Sequence, residues 1–338
     1  MKSTRLVLAL ATFATSAVAA EPNLSRFEYS EPHMGTTFRL VLYAESRTAA
    51  DAAAKAAFAR VEALNRIMSD YDPASELMRL CQKNEKTTGA PVPVSPELFF
   101  VLTKAREVSR LSDGAFDVTV GPVVKLWRVS RKTLKLPDKA ALADALSRVG
   151  YKNIELNEKD RTVRLLKPGM QLDLGGIAKG YADDEMLAVL NLKHKITIAL
   201  AAAGGDIAAG DAPPGAAGWK IDVAPLTKAK PEYRLLLANA AVSTSGDAEQ
   251  HVTIDGVRYS HIVDPRTGLG QTGRRSVTVI AKHGITSDSM TKAMALMEPD
   301  KALKLIETIG GAATLIIRKT DTGEDVLESK RLAGYLAK

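Results

Sequence analysis

Asp173-Leu174-Gly175-Gly176-Ile177-Ala178-Lys179-Gly180-Tyr181 places a carboxylate, a flexible turn and a lysine within one short stretch. The paired glycines permit left-handed dihedrals and close backbone approach. Ala178, Ala182, Met186 and Val189 then recur at helical spacing, which predicts a turn feeding an amphipathic helix. A helix start presents unpaired N–H groups and positive dipole density, so a diphosphate fits there with Lys179 as a mobile positive charge. An ordinary Gly-Gly turn before a helix fits the same residues. The stretch has neither the glycine spacing of a dinucleotide fold nor the lysine-hydroxyl ending of a nucleoside triphosphate loop.

Outward from this turn, the chain reads as alternating strands and helices. Phe38, Leu40 and Leu42 alternate as in a strand, whereas Ala54, Ala57, Val61, Leu64 and Met68 recur at helical intervals. A second helix follows Pro96, with Leu98, Leu102, Ala105 and Val108 near one face, and another runs from about Pro137 to Arg148, stopping at Gly150. The runs 196–200, 276–280 and 314–317 are strand-like by their β-branched content. An α+β architecture fits these elements, and no Pro/Gly/Ser-rich linker divides them, so two lobes without a separable linker remain compatible with the pattern.

Residues 1–20 carry Lys2 and Arg5 before an apolar run from Leu6 and the small-residue pattern Ala17-Val18-Ala19. This reads as a secretory signal peptide cleaved after Ala19 or Ala20, giving a soluble periplasmic protein. The run is short for a stable membrane span. The formal charge of +7 falls by two with Lys2 and Arg5, and no lysine/arginine stripe with interleaved aromatics points to nucleic acid. Cys81 is the only cysteine, which excludes an intramolecular disulfide; its amphipathic setting from Glu76 to Gln82 gives it a structural role.

Four further segments give the Gly-Gly turn a context. They are His33-Met34-Gly35-Thr36, the run from Gly114 to Pro122 that contains Ala115-Phe116-Asp117, Ser260-His261-Ile262-Val263-Asp264-Pro265-Arg266-Thr267-Gly268, and Ser287-Asp288-Ser289-Met290-Thr291-Lys292-Ala293. In this order they resemble the FAD:protein FMN transferase family, over roughly residues 27 to 330. The resemblance implies an α+β fold with a mixed sheet and flanking helices. It implies FAD as substrate or bound ligand, Mg²⁺, and an exported acceptor protein carrying a threonine or serine to be flavinylated.

By the same resemblance Met34, Tyr71, Ala115, Phe116, Asp117, Asp173, Lys179 and Ile262 contact the flavin nucleotide, and Lys179 and His261 are catalytic. Asp288 and the backbone carbonyl of Gly176 hold the metal. Each residue has a plainer reading. Met34 and Tyr71 suit core packing equally, Asp117 suits a turn, Asp206 after Gly204-Gly205 can orient that loop or bind ribose but is more simply a turn cap, and Asp288 suits the cap of a helix beginning near Ser287. His261 is the general-base candidate, a titratable group among alternating apolar residues before a rigid turn; a satisfied core histidine has the same setting. It matches the histidine of the family's Ser-His-Ile-Ile-Asp-Pro pattern, with Val263 a departure.

A second departure bears on the chemistry. The family commonly places threonine four residues after the metal-binding aspartate, where this chain has Lys292, which shares a helix face with Asp288. The lysine can replace metal charge, contact phosphate or weaken metal binding. Transfer of FMN with release of AMP, hydrolysis of FAD to FMN and AMP, and FAD binding or delivery without catalysis therefore stand beside one another, with a purely structural domain as the distant alternative.

Overall fold

The computed structural model describes residues 24–226, 233–246 and 251–337, so the segment read as a signal peptide lies outside the described residues. The described chain opens with a hairpin of β1 (Ser25–His33) and β2 (Thr36–Ala44). Met34 and Gly35 form its two-residue turn with φ of 46° and 74°. Two successive positive φ values match the twist of the strands they join. Phe38, Leu40 and Leu42 are fully buried, as their alternation predicts.

Helix α1 (Arg47–Met68) buries the whole predicted stripe from Ala54 to Met68, and Ser46 caps it by accepting the Ala49 N–H at 3.2 Å. Helices α2 (Glu76–Gln82) and α3 (Pro96–Leu111) carry the same serine cap, on Ser75 and Ser95. Cys81 is buried on α2, where its Sγ accepts the Leu172 N–H at 3.4 Å and burial pushes its thiol up to about 11. Strand β3 (Val92–Pro93) joins β4 (Ile154–Asn157) and β5 (Thr162–Leu165) in a small sheet, beyond α4 (Gly121–Thr133) and α5 (Lys139–Ser147).

The Gly-Gly turn leads, as predicted, into a helix, α6 (Ala178–His194), with Ala178, Ala182, Met186 and Val189 all buried. Lys195 closes it in the left-handed region at φ 58°, and the Ile196 N–H returns to the Leu190 carbonyl. That closure uses the first residues of the expected 196–200 strand, so β6 (Ala199–Ala203) starts later. After it come β7 (Asp206–Ala209), the hairpin of β8 (Trp219–Asp222) and β9 (Arg234–Leu237), then β10 (Ala240–Gly246). A three-stranded sheet of β11 (His251–Ile254), β12 (Val257–Val263) and β13 (Gly270–Thr272) precedes β14 (Arg275–Ala281). The chain finishes with α7 (Gly284–Leu296), α8 (Pro299–Glu307), β15 (Ala313–Thr320) and β16 (Gly323–Glu328).

Among the described residues, eight strands form the main sheet in the order β1-β2-β6-β7-β10-β14-β15-β16. The expected mixed sheet is more regular than that: each of these pairings is antiparallel, because each connection is a hairpin or a return that reverses the chain. Helices α1, α6 and α7 cover one face in the largest core. Trp219, Leu235, Leu237, Val242, Ile280 and Leu315 fill a second core on the other. Arg60 ties α1 to its neighbours, donating to Glu97 of α3 at 2.9 Å and Glu185 of α6 at 2.8 Å. A third core joins Val123 and Trp127 of α4 to Tyr259 and Val263 of β12, and the Trp127 indole N–H donates to the Ser260 carbonyl at 3.2 Å. Among the described residues no helix is long and apolar enough to cross a membrane.

Candidate active site

Helices α6 and α7 cross backbone to backbone. A Cβ placed on Gly180 would lie 2.1 Å from the Gly284 carbonyl oxygen, and one on Gly284 would lie 2.4 Å from that of Gly180. Side chains at either position would hold the helices apart. Asp184 of α6 locks the crossing by accepting the N–H groups of Gly284 and Ile285 at 2.6 and 3.0 Å, which satisfies the first turn of α7. Helix α7 therefore starts at Gly284, and Asp288 sits a turn inside it rather than at its cap. Its Oδ2 instead accepts the Gly180 N–H at 3.0 Å.

This crossing gathers a ring of four charges. The Lys179 ammonium stands 2.7 Å from Asp206 Oδ2 and 3.9 Å from Asp288 Oδ2. Lys292 ion-pairs with Asp288 Oδ1, and its ammonium lies 3.8 Å from Asp206 Oδ1. Both carboxylates are buried. Burial favours the neutral form of Asp206, but Lys292 and Lys179 outweigh it and hold the carboxyl down at about 2. Burial likewise opposes the charge of Lys179, and Asp288 and Asp206 override it to push the ammonium's pKa up. Asp206, whose simpler sequence reading was a turn cap, thus joins the ring from the first position of β7. Ser243–Ser287 and Ser245–Thr291 hydroxyl pairs, at 3.0 and 2.9 Å, clamp α7 onto β10 beside it.

Close to the ring is Asp183, fully buried with neither carboxylate oxygen hydrogen-bonded. Burial, and then the neighbouring Asp206 and Asp184, push its carboxyl well above the usual range. Sequence reading missed it; a carboxylate four residues after Lys179, on the buried side of α6, was the available signal.

The start of α6 offers fewer donors than its sequence implies. The N–H groups of Ile177 and Ala178 both return to the Leu174 carbonyl, at 3.0 and 2.9 Å, and that of Gly180 serves Asp288. Binding an anion here falls chiefly to the lysines. Gly176 lies against Lys292 and Phe116: a Cβ on it would come within 3.3 Å of Lys292 Cγ and of Phe116 Cε2. Ala115 and Phe116 are buried in the main core. Asp117 is committed within the protein, since Oδ1 accepts the Thr119 N–H and hydroxyl at 2.8 and 2.6 Å and Oδ2 accepts the Tyr151 N–H at 2.7 Å. Burial raises its carboxyl despite these bonds. Its contacts are those of a turn cap.

Asp173 and Tyr71 are joined by a residue the sequence did not single out. Arg128 of α4 donates to Asp70 at 2.6 Å and Asp173 at 3.2 Å, and its guanidinium lies 4.2 Å from the centre of the Tyr71 ring. Tyr71 is 76% exposed, so a base or flavin ring can lie on its open side. Asp173 Oδ1 also accepts the Gly175 N–H at 2.8 Å, which ties this group to the Gly-Gly turn.

Met34 packs against the main core, and its turn borders an open hollow of about 560 Å³ with Pro32, Thr37, Glu62 and Asn65. The Gly204-Gly205 turn lies nearby, a Cβ on Gly204 falling 3.4 Å from Thr36 Oγ1. His261 is half-buried in the middle of β12. Its neighbour Ile262 is in the main core and donates its N–H to Ser260 Oγ at 3.1 Å.

The divalent cation expected at Gly176 and Asp288 does not fit these residues. Among the described residues no group of three or more His, Cys, Asp or Glu side chains is placed to hold a metal ion. One oxygen of Asp288 is taken by Lys292 and the other by the Gly180 N–H, with Lys179 beyond it. Magnesium takes much of its near-octahedral oxygen set from water and substrate phosphates, but it still needs a free carboxylate oxygen as its protein anchor.

The model of the ApbE family matches residues 34–316, which include Met34, the Gly-Gly turn, the charged ring and His261. The FAD:protein FMN transferase of Treponema pallidum is 32% identical over 310 residues, spanning 86% of this chain and 84% of the relative. That of Haemophilus influenzae is 31% identical over 325 residues, 92% of this chain and 91% of the relative. Among solved structures, the flavin transferase ApbE of Vibrio cholerae superposes with a TM-score of 0.81 at 28% identity, covering 93% of this chain and 100% of that one. The ApbE protein of Thermotoga maritima does so with a TM-score of 0.81 at 29% identity over the same shares. With a matching family model over most of its length and relatives above 30% identity across it, the chain belongs to the ApbE family.

Proposed function

We propose that this protein transfers FMN from FAD to a threonine or serine hydroxyl of an acceptor protein and releases AMP. The observation that carries the reading is the ring of Lys179, Lys292, Asp206 and Asp288 beside the Gly175-Gly176 turn, in a chain similar along its length to FAD:protein FMN transferases. The acceptor oxygen attacks the phosphorus on the FMN side of the diphosphate. A new P–O bond forms, the bond to the bridging oxygen breaks, and AMP leaves with that electron pair. His261 takes the hydroxyl proton. The two ammonium groups stabilise the charge that moves onto the phosphate oxygens, which for phosphoryl transfer is the larger share of the catalysis. Tyr71, held by Arg128, gives the nucleotide a stacking surface, and Phe116 forms a wall beside Gly176.

The acceptor and the enzyme meet in the periplasm on this reading, which rests on the signal-like residues 1–20. The test is incubation of the mature protein with FAD and acceptors that a known FMN transferase modifies, with AMP and protein-bound flavin measured together. Equal amounts of both support transfer. AMP and FMN without an adduct would mean hydrolysis, and bound but intact FAD would mean a carrier.

A further inference from the structure

We infer that the Lys292 ammonium is a built-in cation of this site, standing in for a divalent ion, so that FMN transfer here needs no added metal. The inference rests on the transferase reading for its activity and on geometry for its placement. Lys292 reaches along its own helix to Asp288 four residues earlier, its stem against Gly176, and ends between the two buried carboxylates. A divalent ion on Asp288 Oδ1 would have to occupy the place of that ammonium.

The charges agree with the geometry. Asp206 and Asp288 supply two negative charges, and Lys179 and Lys292 supply two positive ones, at separations of 3.9 Å or less. Asp183, unpartnered and enclosed, is in the setting that favours a neutral carboxyl. In the FAD-free protein the ring is therefore balanced as it stands, and a divalent ion there would add two charges with no carboxylate left to meet them. Removing Lys292 alone leaves one net negative charge and frees an Asp288 oxygen, which makes a cation site. A threonine there also adds a hydroxyl oxygen of the kind magnesium accepts.

The experiment compares wild type with Lys292→Thr in two arms. In the first, Mn²⁺ alone is titrated into each FAD-free protein and free Mn²⁺ is followed by electron paramagnetic resonance. Wild type is expected to bind no ion, and K292T one per chain. In the second, AMP release is measured with FAD and acceptor in EDTA and in Mg²⁺. Wild type is expected to be equally active in both, whereas K292T falls about 100-fold in EDTA and recovers with Mg²⁺. Stoichiometric Mn²⁺ binding by wild type, or its loss of activity in EDTA with recovery in Mg²⁺, would overturn the proposal without reference to any variant. If neither protein releases AMP under any condition, the transferase reading fails while the Mn²⁺ arm still decides the role of Lys292.

Discussion

Gly180 and Gly284 touch through their backbones, and a Cβ on Gly180 would fall 2.1 Å from the Gly284 carbonyl oxygen. This contact places Lys179 and Asp288 side by side in one ring, 3.9 Å apart. The obstacle is backbone, so neither a rotamer change nor a flexible side-chain tip can relieve it. Gly180→Ala is therefore expected to destabilise the fold by about 1–3 kcal/mol and to reduce AMP release further by moving Asp288. Gly334→Ala, where the added carbon meets nothing within 4 Å, is the control; it should stay within about 0.5 kcal/mol. Denaturant midpoints of both variants check this, and equal midpoints would mean the helices separate freely.

Arg128 is expected to control nucleotide affinity. Its loss releases the Tyr71 ring and removes the cation that bridges Asp70 and Asp173. Arg128→Met should weaken FAD binding about tenfold, or ~1.4 kcal/mol, and Arg128→Lys should recover part of it, since the charge returns without the planar fork. Fluorescence titration with FAD reads both; unchanged affinity in R128M would remove Tyr71 from the nucleotide site.

The buried acids predict a pH dependence with a definite sign. Asp183 is pushed well above the ordinary value, and burial raises Asp184 to about 6. Each holds its proton more tightly folded than unfolded, so the native state binds more protons and stability falls as pH rises above the unfolded carboxylate value of about 3.9. Unfolding free energy should thus fall between pH 4 and 6 on account of this pair, and Asp183→Asn should flatten that slope. A slope unaltered in D183N would mean that Asp183 ionises as readily in the folded protein as in the unfolded chain.

Much of this was legible in the sequence, and the parts that were not share a cause. The stripes of α1, α3 and α6 and the alternation in β2 are local periodicities, which burial against a single core enforces. In the main sheet β1–β2, β6–β7 and β15–β16 are local hairpins, but the joins β2–β6, β7–β10 and β10–β14 are non-local pairings that left no local trace. At the site, Lys179, Asp288 and Lys292 were visible as a motif. Asp206 was legible only as a loop residue after Gly204-Gly205, and Arg128 not at all, because each acts on residues far away in sequence, Arg128 on Asp70 and Asp206 on Lys292. Gly180 was read within a phosphate loop, yet its backbone contact is with another helix. The start of α7 was misplaced because the residue that satisfies it, Asp184, comes from α6.

His261 should separate binding from chemistry. His261→Ala is expected to keep FAD affinity and lose about 100-fold in transfer rate, equivalent to roughly 2.7 kcal/mol. Rates measured at saturating FAD check it. A folded H261A protein with wild-type turnover would exclude the histidine from proton transfer, and collapse of FAD binding would make it part of the pocket instead.

Intact-mass analysis of an acceptor protein after incubation with wild-type enzyme and FAD, with AMP quantified in the same sample, tests the proposed transfer most directly. The account predicts one phosphoester-linked FMN on a threonine or serine for each AMP released, and loss of both products in Lys179→Met. An acceptor of unchanged mass, from a protein preparation that a reference FMN transferase flavinylates in parallel, would contradict it.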